Sequence, residues 1–148
     1  MHADARGLRH AAGEGGTIEV ALGGKSDNAP FRGRFAVQRL GDGRFTCTGP
    51  MTRGNRADLG PSALLEAGGV HVLVASRMMQ AYDQAMFRHL GIEPATAPIV
   101  ALKSSVHFRA DFQPIAKEIL IVAAPGPVVA DPSVLPFRNL RPGLALAP

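Results

Sequence analysis

Ser62-Ala63-Leu64-Leu65-Glu66-Ala67-Gly68-Gly69-Val70-His71-Val72-Leu73-Val74-Ala75-Ser76 carries the clearest β signal in the chain. Two apolar runs, Ser62 to Ala67 and Val70 to Ser76, flank a pair of glycines. Paired glycines supply the positive φ that a tight type I′ turn demands, so a β-hairpin is predicted here. Val70, Val72, Leu73 and Val74 are nearly continuous in apolar character, which predicts burial on both faces of the second strand.

Toward the N-terminus the pattern stays β-like. Arg34 to Leu40 and Arg44 to Thr48 are β-prone runs joined by Gly41-Asp42-Gly43, the signal of another hairpin, and Gly49-Pro50 closes the second run. Met51 to Gly60 reads as an irregular loop. Thr17 to Leu22 alternates as a strand does and stops at Gly23-Gly24-Lys25. Residues 1–16 form a loose lead-in, with a short helix expected around Leu8 to Ala12.

Toward the C-terminus the period changes. Tyr82, Met86, Phe87 and Leu90 have helical spacing, with Gly91 as the stop and Pro94 just beyond. Pro98 to Leu102 reads as a short apolar strand. Ser104 or Ser105 is placed to cap a helix whose inner face is Phe108, Phe112 and Ile115, with Pro114 keeping it short or kinked. Glu118 to Ala123 reads as a further strand. Val70 to Ala123 thus predicts β-α-β-α-β with right-handed crossovers. The expected class is α/β: a mixed sheet with N-terminal antiparallel hairpins, then that unit, then an extended proline-rich tail over residues 125–148.

The bulk numbers bound the function. A chain of 148 residues, 46% hydrophobic and 19% charged, is the size and make-up of one globular domain, taken as residues 1–148. No stretch reaches the roughly 18 apolar residues a membrane span requires. The first residues lack the apolar core of a secretory signal, so a cytoplasmic setting is expected. Cys47 is the only cysteine, which excludes an internal disulfide and a multi-cysteine zinc site. The net charge of +4 comes partly from Arg32, Arg34, Arg39, Arg44, Arg53 and Arg56. Their setting in β-prone runs favours a solvated sheet face over a nucleic-acid surface.

Chemistry concentrates in Lys103-Ser104-Ser105-Val106-His107-Phe108-Arg109. At the end of a predicted strand and the start of a predicted helix, free backbone N–H groups favour an anion. Lys103, Ser104, His107 and Arg109 are the candidate substrate- or anion-binding residues. The plainer reading is that Ser104 caps the helix, Lys103 and Arg109 are solvated or ion-paired, and His107 pairs with Asp111. No residue is assigned as catalytic: Ser104 beside Lys103 has poor geometry for a dyad, and Cys47 has no histidine near it in sequence. No metal ligands are assigned either, because His2, His10, His71, His89 and His107 are scattered. Gly23-Gly24-Lys25-Ser26 lacks the earlier glycine of a phosphate loop.

Several blocks in fixed order resemble one family. Leu22-Gly23-Gly24-Lys25-Ser26-Asp27, Asp42-Gly43-Arg44-Phe45, Gly49-Pro50-Met51, Asp58-Leu59-Gly60, Gly68-Gly69-Val70, Gln80-Ala81-Tyr82-Asp83, Phe87-Arg88, Gly91-Ile92 and Lys103 to Phe112 are similar to the C-terminal domain of the MlrC (microcystinase C) zinc metallopeptidases. Pro125-Gly126 and Arg141-Pro142 follow in place, while the usual closing Pro-Leu-Asp is replaced by Ala145-Leu146-Ala147-Pro148. The resemblance implies zinc-dependent hydrolysis of small linearised peptides, with zinc held by an N-terminal domain that this chain lacks. The expectation is therefore a fragment, a split gene or a truncated paralogue that is inactive alone. Its partner would be an MlrC-type N-terminal catalytic domain, in cis or in trans, with homo-oligomerisation left open. The alternative is a non-catalytic accessory or remnant with an anion site near Lys103.

Overall fold

The computed structural model describes residues 12–24, 29–122 and 131–144. Among the described residues there are six strands: β1 (Thr17–Leu22), β2 (Phe31–Gly41), β3 (Arg44–Thr46), β4 (Arg56–Asp58), β5 (Ser62–Ala67) and β6 (Val70–Ala75). Two single-turn helices follow, α1 (Ala85–Arg88) and α2 (Arg109–Phe112), with 3-10 turns at Pro94–Thr96, Gln113–Ile115 and Pro132–Val134. The result is a mixed α/β chain dominated by an antiparallel sheet of order β1-β2-β5-β6, beside a two-stranded β3-β4 ribbon. No helix among the described residues is long and apolar enough to cross a membrane.

Alternation explains the sheet. Ile18, Leu22, Phe35, Val37, Ala63, Leu65 and Val74 project to one face and form a buried cluster, joined by partly buried Val20, Leu40 and Val72. Register aligns them in rows: Ile18 faces Phe35, and Val37, Leu65 and Val72 make one row across three strands. The opposite face pairs Glu19 with Arg34 and Glu66 with His71. An irregularity between Val37 and Arg39 resets the alternation, so Leu40 rather than Arg39 joins the core. The β5–β6 hairpin forms as expected, with Gly68 and Gly69 at φ 58 and 81.

The Gly41-Asp42-Gly43 hairpin does not form. Both flanks of β2 are occupied by β1 and β5, so no edge is left for β3. Asp42 Oδ1 instead accepts from Arg44 N at 2.9 Å, a local turn that redirects the chain. β3 then pairs with β4, inside the stretch expected to be an irregular loop. Gly43 permits this crossing: a Cβ there would lie 1.9 Å from the Gly60 carbonyl oxygen.

The β-α-β-α-β unit is also absent from the described residues. A parallel crossover needs about a dozen residues or more, usually helical, and α1 and α2 have four each. Residues 98–102 and 118–122 are not strands, and Ile99, Leu120, Ile121 and Val122 are 86%, 74%, 71% and 77% exposed. β6 is an edge strand with Val70 exposed, not buried on both faces. Neither serine caps α2, whose N-cap is Phe108, although Phe108 and Phe112 are buried and Pro114 ends the helix in a 3-10 turn as expected. The tail residues 131–144 are exposed. The expected helix at Leu8 to Ala11, the Lys25–Asp27 block, Ala123, and residues 125–130 and 145–148 lie outside the described residues.

A second, smaller core of Leu59, Ala75 and Met86, with Phe45, Met79 and Phe87 packed on it, joins the ribbon to α1. His89 closes this region. Its ring stacks on Phe45 with centroids 5.3 Å apart, and its Nε2 lies 3.1 Å from Ser62 Oγ. Burial pushes the imidazole below its ordinary pKa, opposed by the Met86 and Ala85 backbone and by Asp42. Above about pH 6.5 the ring is neutral in both folded and unfolded states; as pH falls through the lowered folded value, the unfolded chain takes up the proton first and stability is lost. The urea midpoint should therefore drop as pH is lowered through and below the ordinary imidazole value of about 6.5, and His89→Phe should flatten that drop. Equal slopes in the two proteins would contradict this role.

Candidate functional site

Three segments distant in sequence meet where α1 begins: Thr48-Gly49, Gln80 to Ala85, and Ser104 to Asp111. Asp83 is the hinge of this meeting, with 1% of its surface exposed. Its Oδ2 accepts from Gly49 N at 2.8 Å, and its Oδ1 accepts from Ala85 N at 2.9 Å and Thr48 Oγ1 at 3.4 Å. A buried carboxylate is tolerable only when its lone pairs are met in this way. The Ala85 contact is also a cap, since it satisfies an N–H that the first helical turn leaves open.

Gln84, 4% exposed, carries the tie onward. Its backbone N–H donates to Asp111 Oδ2 at 2.7 Å, and its side-chain amide donates to the Asp111 carbonyl at 2.6 Å. Gly49 sits between the two acids. A Cβ at this position would lie 2.9 Å from Asp111 Oδ2 and 3.1 Å from Asp83 Oδ2, so a side chain would wedge them apart. Arg88 completes the brace by donating to Gln84 Oε1 at 2.9 Å and to both oxygens of Glu93 at 2.7 and 3.0 Å. That hydrogen bonding holds the Glu93 carboxyl below its ordinary pKa.

The sequence-derived candidates lie along the third segment. Gln80 brings two of them together: its Oε1 is 2.8 Å from His107 Nδ1, and its Nε2 donates to Ser104 Oγ at 3.5 Å. Arg109 turns the other way, with its guanidinium 5.3 Å from the Phe108 ring centroid and its NH1 3.4 Å from Gln113 Oε1. Lys103 is exposed, one residue before Ser104. The expected pairing of His107 with Asp111 is replaced by His107 with Gln80 and Asp111 with Gln84. A helix of four residues aligns few peptide dipoles, so its start adds little to anion attraction.

Gln80, Asp83 and Gln84 were not among the sequence candidates. Asp83 falls inside the run from Tyr82 to Leu90 that the spacing reads as helical, so the pattern did not single it out. Nothing local marked Gln80, whose role depends on a segment 24 to 27 residues away. The described residues contain no group of three or more His, Cys, Asp or Glu able to hold a metal ion. Asp83 and Asp111 converge, but both Asp83 oxygens and Asp111 Oδ2 accept from backbone N–H groups, and two carboxylates alone fall short of a zinc ligand set. Ser62 beside His89 is 1% exposed and unreachable for a substrate, and Cys47 is a buried free thiol.

Residues 1–139 match the family profile described as MlrC C-terminus. Microcystinase C of a Sphingomonas species is 30% identical over 120 residues, which cover 79% of this chain and 23% of that protein. A solved structure of a candidate metallopeptidase from Mesorhizobium sp. BNC1 shares 31% identity with a TM-score of 0.80, covering 96% of this chain and 29% of that one. The chain thus spans about a quarter of the length of the relatives it matches.

Removing the Asp83 carboxylate would strand the Gly49 and Ala85 amides in a buried setting. Asp83→Ala should cost about 2–5 kcal/mol in denaturant unfolding, well above a typical surface change. A loss below about 1 kcal/mol would mean the carboxylate does not anchor these segments.

Proposed function

The chain belongs to the MlrC C-terminal family, and from that premise we propose that residues 1–148 act as one module, the C-terminal part of a zinc-dependent metallopeptidase of MlrC type. Its reaction is hydrolysis of small linear peptides. The zinc ligands belong to an N-terminal metal-binding part, joined in cis or in trans. When bound there, the metal supplies an activated water and polarises the scissile carbonyl.

This module contributes position rather than metal chemistry. Lys103 presents a cation to a peptide carboxylate, and Ser104 and His107 offer polar contacts, while Arg109, turned toward Gln113, adds positive charge to the same segment. Holding a substrate in a fixed pose accelerates reaction without touching the reacting atoms. The Asp83–Gln84–Asp111 tie keeps the segment carrying these groups at a set distance from the sheet. A single free thiol, Cys47, fits a cytoplasmic setting.

The observation that carries the reading is the exposure of large apolar side chains in the runs that flank the cluster in sequence. Ile99 lies in the run before Lys103, Val106 within the segment, and Leu120, Ile121 and Val122 in the run after it, all 60% exposed or more. Apolar side chains left in water in this number fit a docking face. A companion domain seated there would cover it and bring its metal against Lys103 to Arg109.

Purified alone, the chain should hold no stoichiometric zinc by metal analysis. Supplied with an MlrC-type N-terminal part, it should support chelator-sensitive cleavage of linear peptides. In that assembly Lys103→Ala should lower kcat/KM by about tenfold or more with zinc content unchanged. Tight zinc on the isolated chain, or loss of zinc on Lys103→Ala, would contradict the division of labour.

A further inference from the structure

Gln80 touches both Ser104 and His107, and an amide has fixed hydrogen-bonding sense at each end. Its Oε1 can only accept, so the 2.8 Å contact obliges His107 Nδ1 to carry the proton. In the neutral ring that leaves Nε2 with a bare lone pair. Its Nε2 can only donate, so the 3.5 Å contact uses an oxygen lone pair of Ser104 and leaves the hydroxyl hydrogen for another partner. His107 is exposed and Ser104 partly exposed, so both unused functions can meet a ligand.

We infer that Gln80 is a positioning residue that locks His107 in its Nδ1–H tautomer, so that His107 Nε2 and the Ser104 hydroxyl form an acceptor–donor pair reading a peptide amide. The chemistry selects that ligand. A secondary amide offers an N–H to the imidazole lone pair and a C=O to the hydroxyl. A carboxylate or phosphate offers acceptors only and would set one of them against the lone pair. Charge recognition is left to Lys103 and Arg109. The inference rests on the proposed function for its substrate class, peptide, but its geometry stands on Gln80 alone. The lock is held in place from the neighbouring turn, because Asp83 and Gln84 are pinned to Gly49 and Asp111.

The test is nitrogen NMR of the full chain labelled with ¹⁵N in its histidine rings, recorded above the titration range of imidazole. His107 should show a protonated Nδ1 and a bare Nε2, the reverse of the form that unconstrained imidazole prefers in water. Gln80→Leu should release it to the Nε2–H form, and Gln80→Glu, which keeps an acceptor in place, should preserve Nδ1–H. Resonances of the His89 ring, remote from Gln80, report that each variant is folded. An Nε2–H tautomer in the unaltered chain, with Ser104 donating to the amide oxygen, would overturn the lock. Titration with N-acetylalanine N-methylamide should move the His107 Nε2 resonance, and acetate should not. A response to acetate alone, or to neither, would overturn the amide reading. No readout here needs turnover, so absence of peptidase activity would remove the proposed function and leave this result standing.

Discussion

A carboxylate sealed inside a protein must be met on every side, and Asp83 is met by a loop, a helix start and a threonine hydroxyl at once. Its charge costs several kcal/mol to desolvate unless such dipoles surround it, so those segments cannot separate without exposing that cost. The placement of everything nearby follows. Gln84, the next residue, is turned so that both its backbone and its side chain reach Asp111. Gln80, three residues earlier, faces Ser104 and His107. The stretch from Ser104 to Phe112 has little regular structure of its own beyond one helical turn; it is held by these polar ties and by the burial of Phe108 and Phe112.

The sheet supplies the stiffness against which those ties act. Its row of Val37, Leu65 and Val72 and the hairpin at Gly68-Gly69 make a base built from local contacts. Past Glu118 the chain stops burying itself: among the described residues there, only Ile119 is less than exposed. A chain that leaves Leu120, Ile121 and Val122 in water forgoes about 1.5–3 kcal/mol for each side chain it could bury. That exposed apolar surface fits the proposed arrangement, in which this module packs against another part of an MlrC-type enzyme, and the relatives it matches are several times longer.

Period-two patterning made the β1 strand and the β5–β6 hairpin legible, because register and turn are both local properties. The β2–β3 hairpin misled for a non-local reason: β5, arriving later in the chain, takes the edge that β3 would have needed. The apolar runs 98–102 and 118–122 carry strand composition without strand structure, since composition states a preference and a ladder needs a neighbour. Lys103, Ser104, His107 and Arg109 stood out by residue type, yet the structure joins only Ser104 and His107, through a glutamine that has no signature in isolation. Asp83 was unreadable as an anchor, because Gly49 lies 34 positions away.

A buried carboxylate fixes residues 104–111 to a rigid base, and in the proposed arrangement the adjoining apolar runs are left open to a partner. Residue-resolved native-state hydrogen exchange on the unaltered chain measures both halves at once. The Gly49 and Ala85 amides should exchange only through global unfolding, with the same free energy as Val37 and Leu65 in the sheet, whereas residues 118–122 should exchange almost as in an unfolded peptide. Fast exchange at Gly49 and Ala85, or protection of residues 118–122 equal to that of the sheet, would contradict the account.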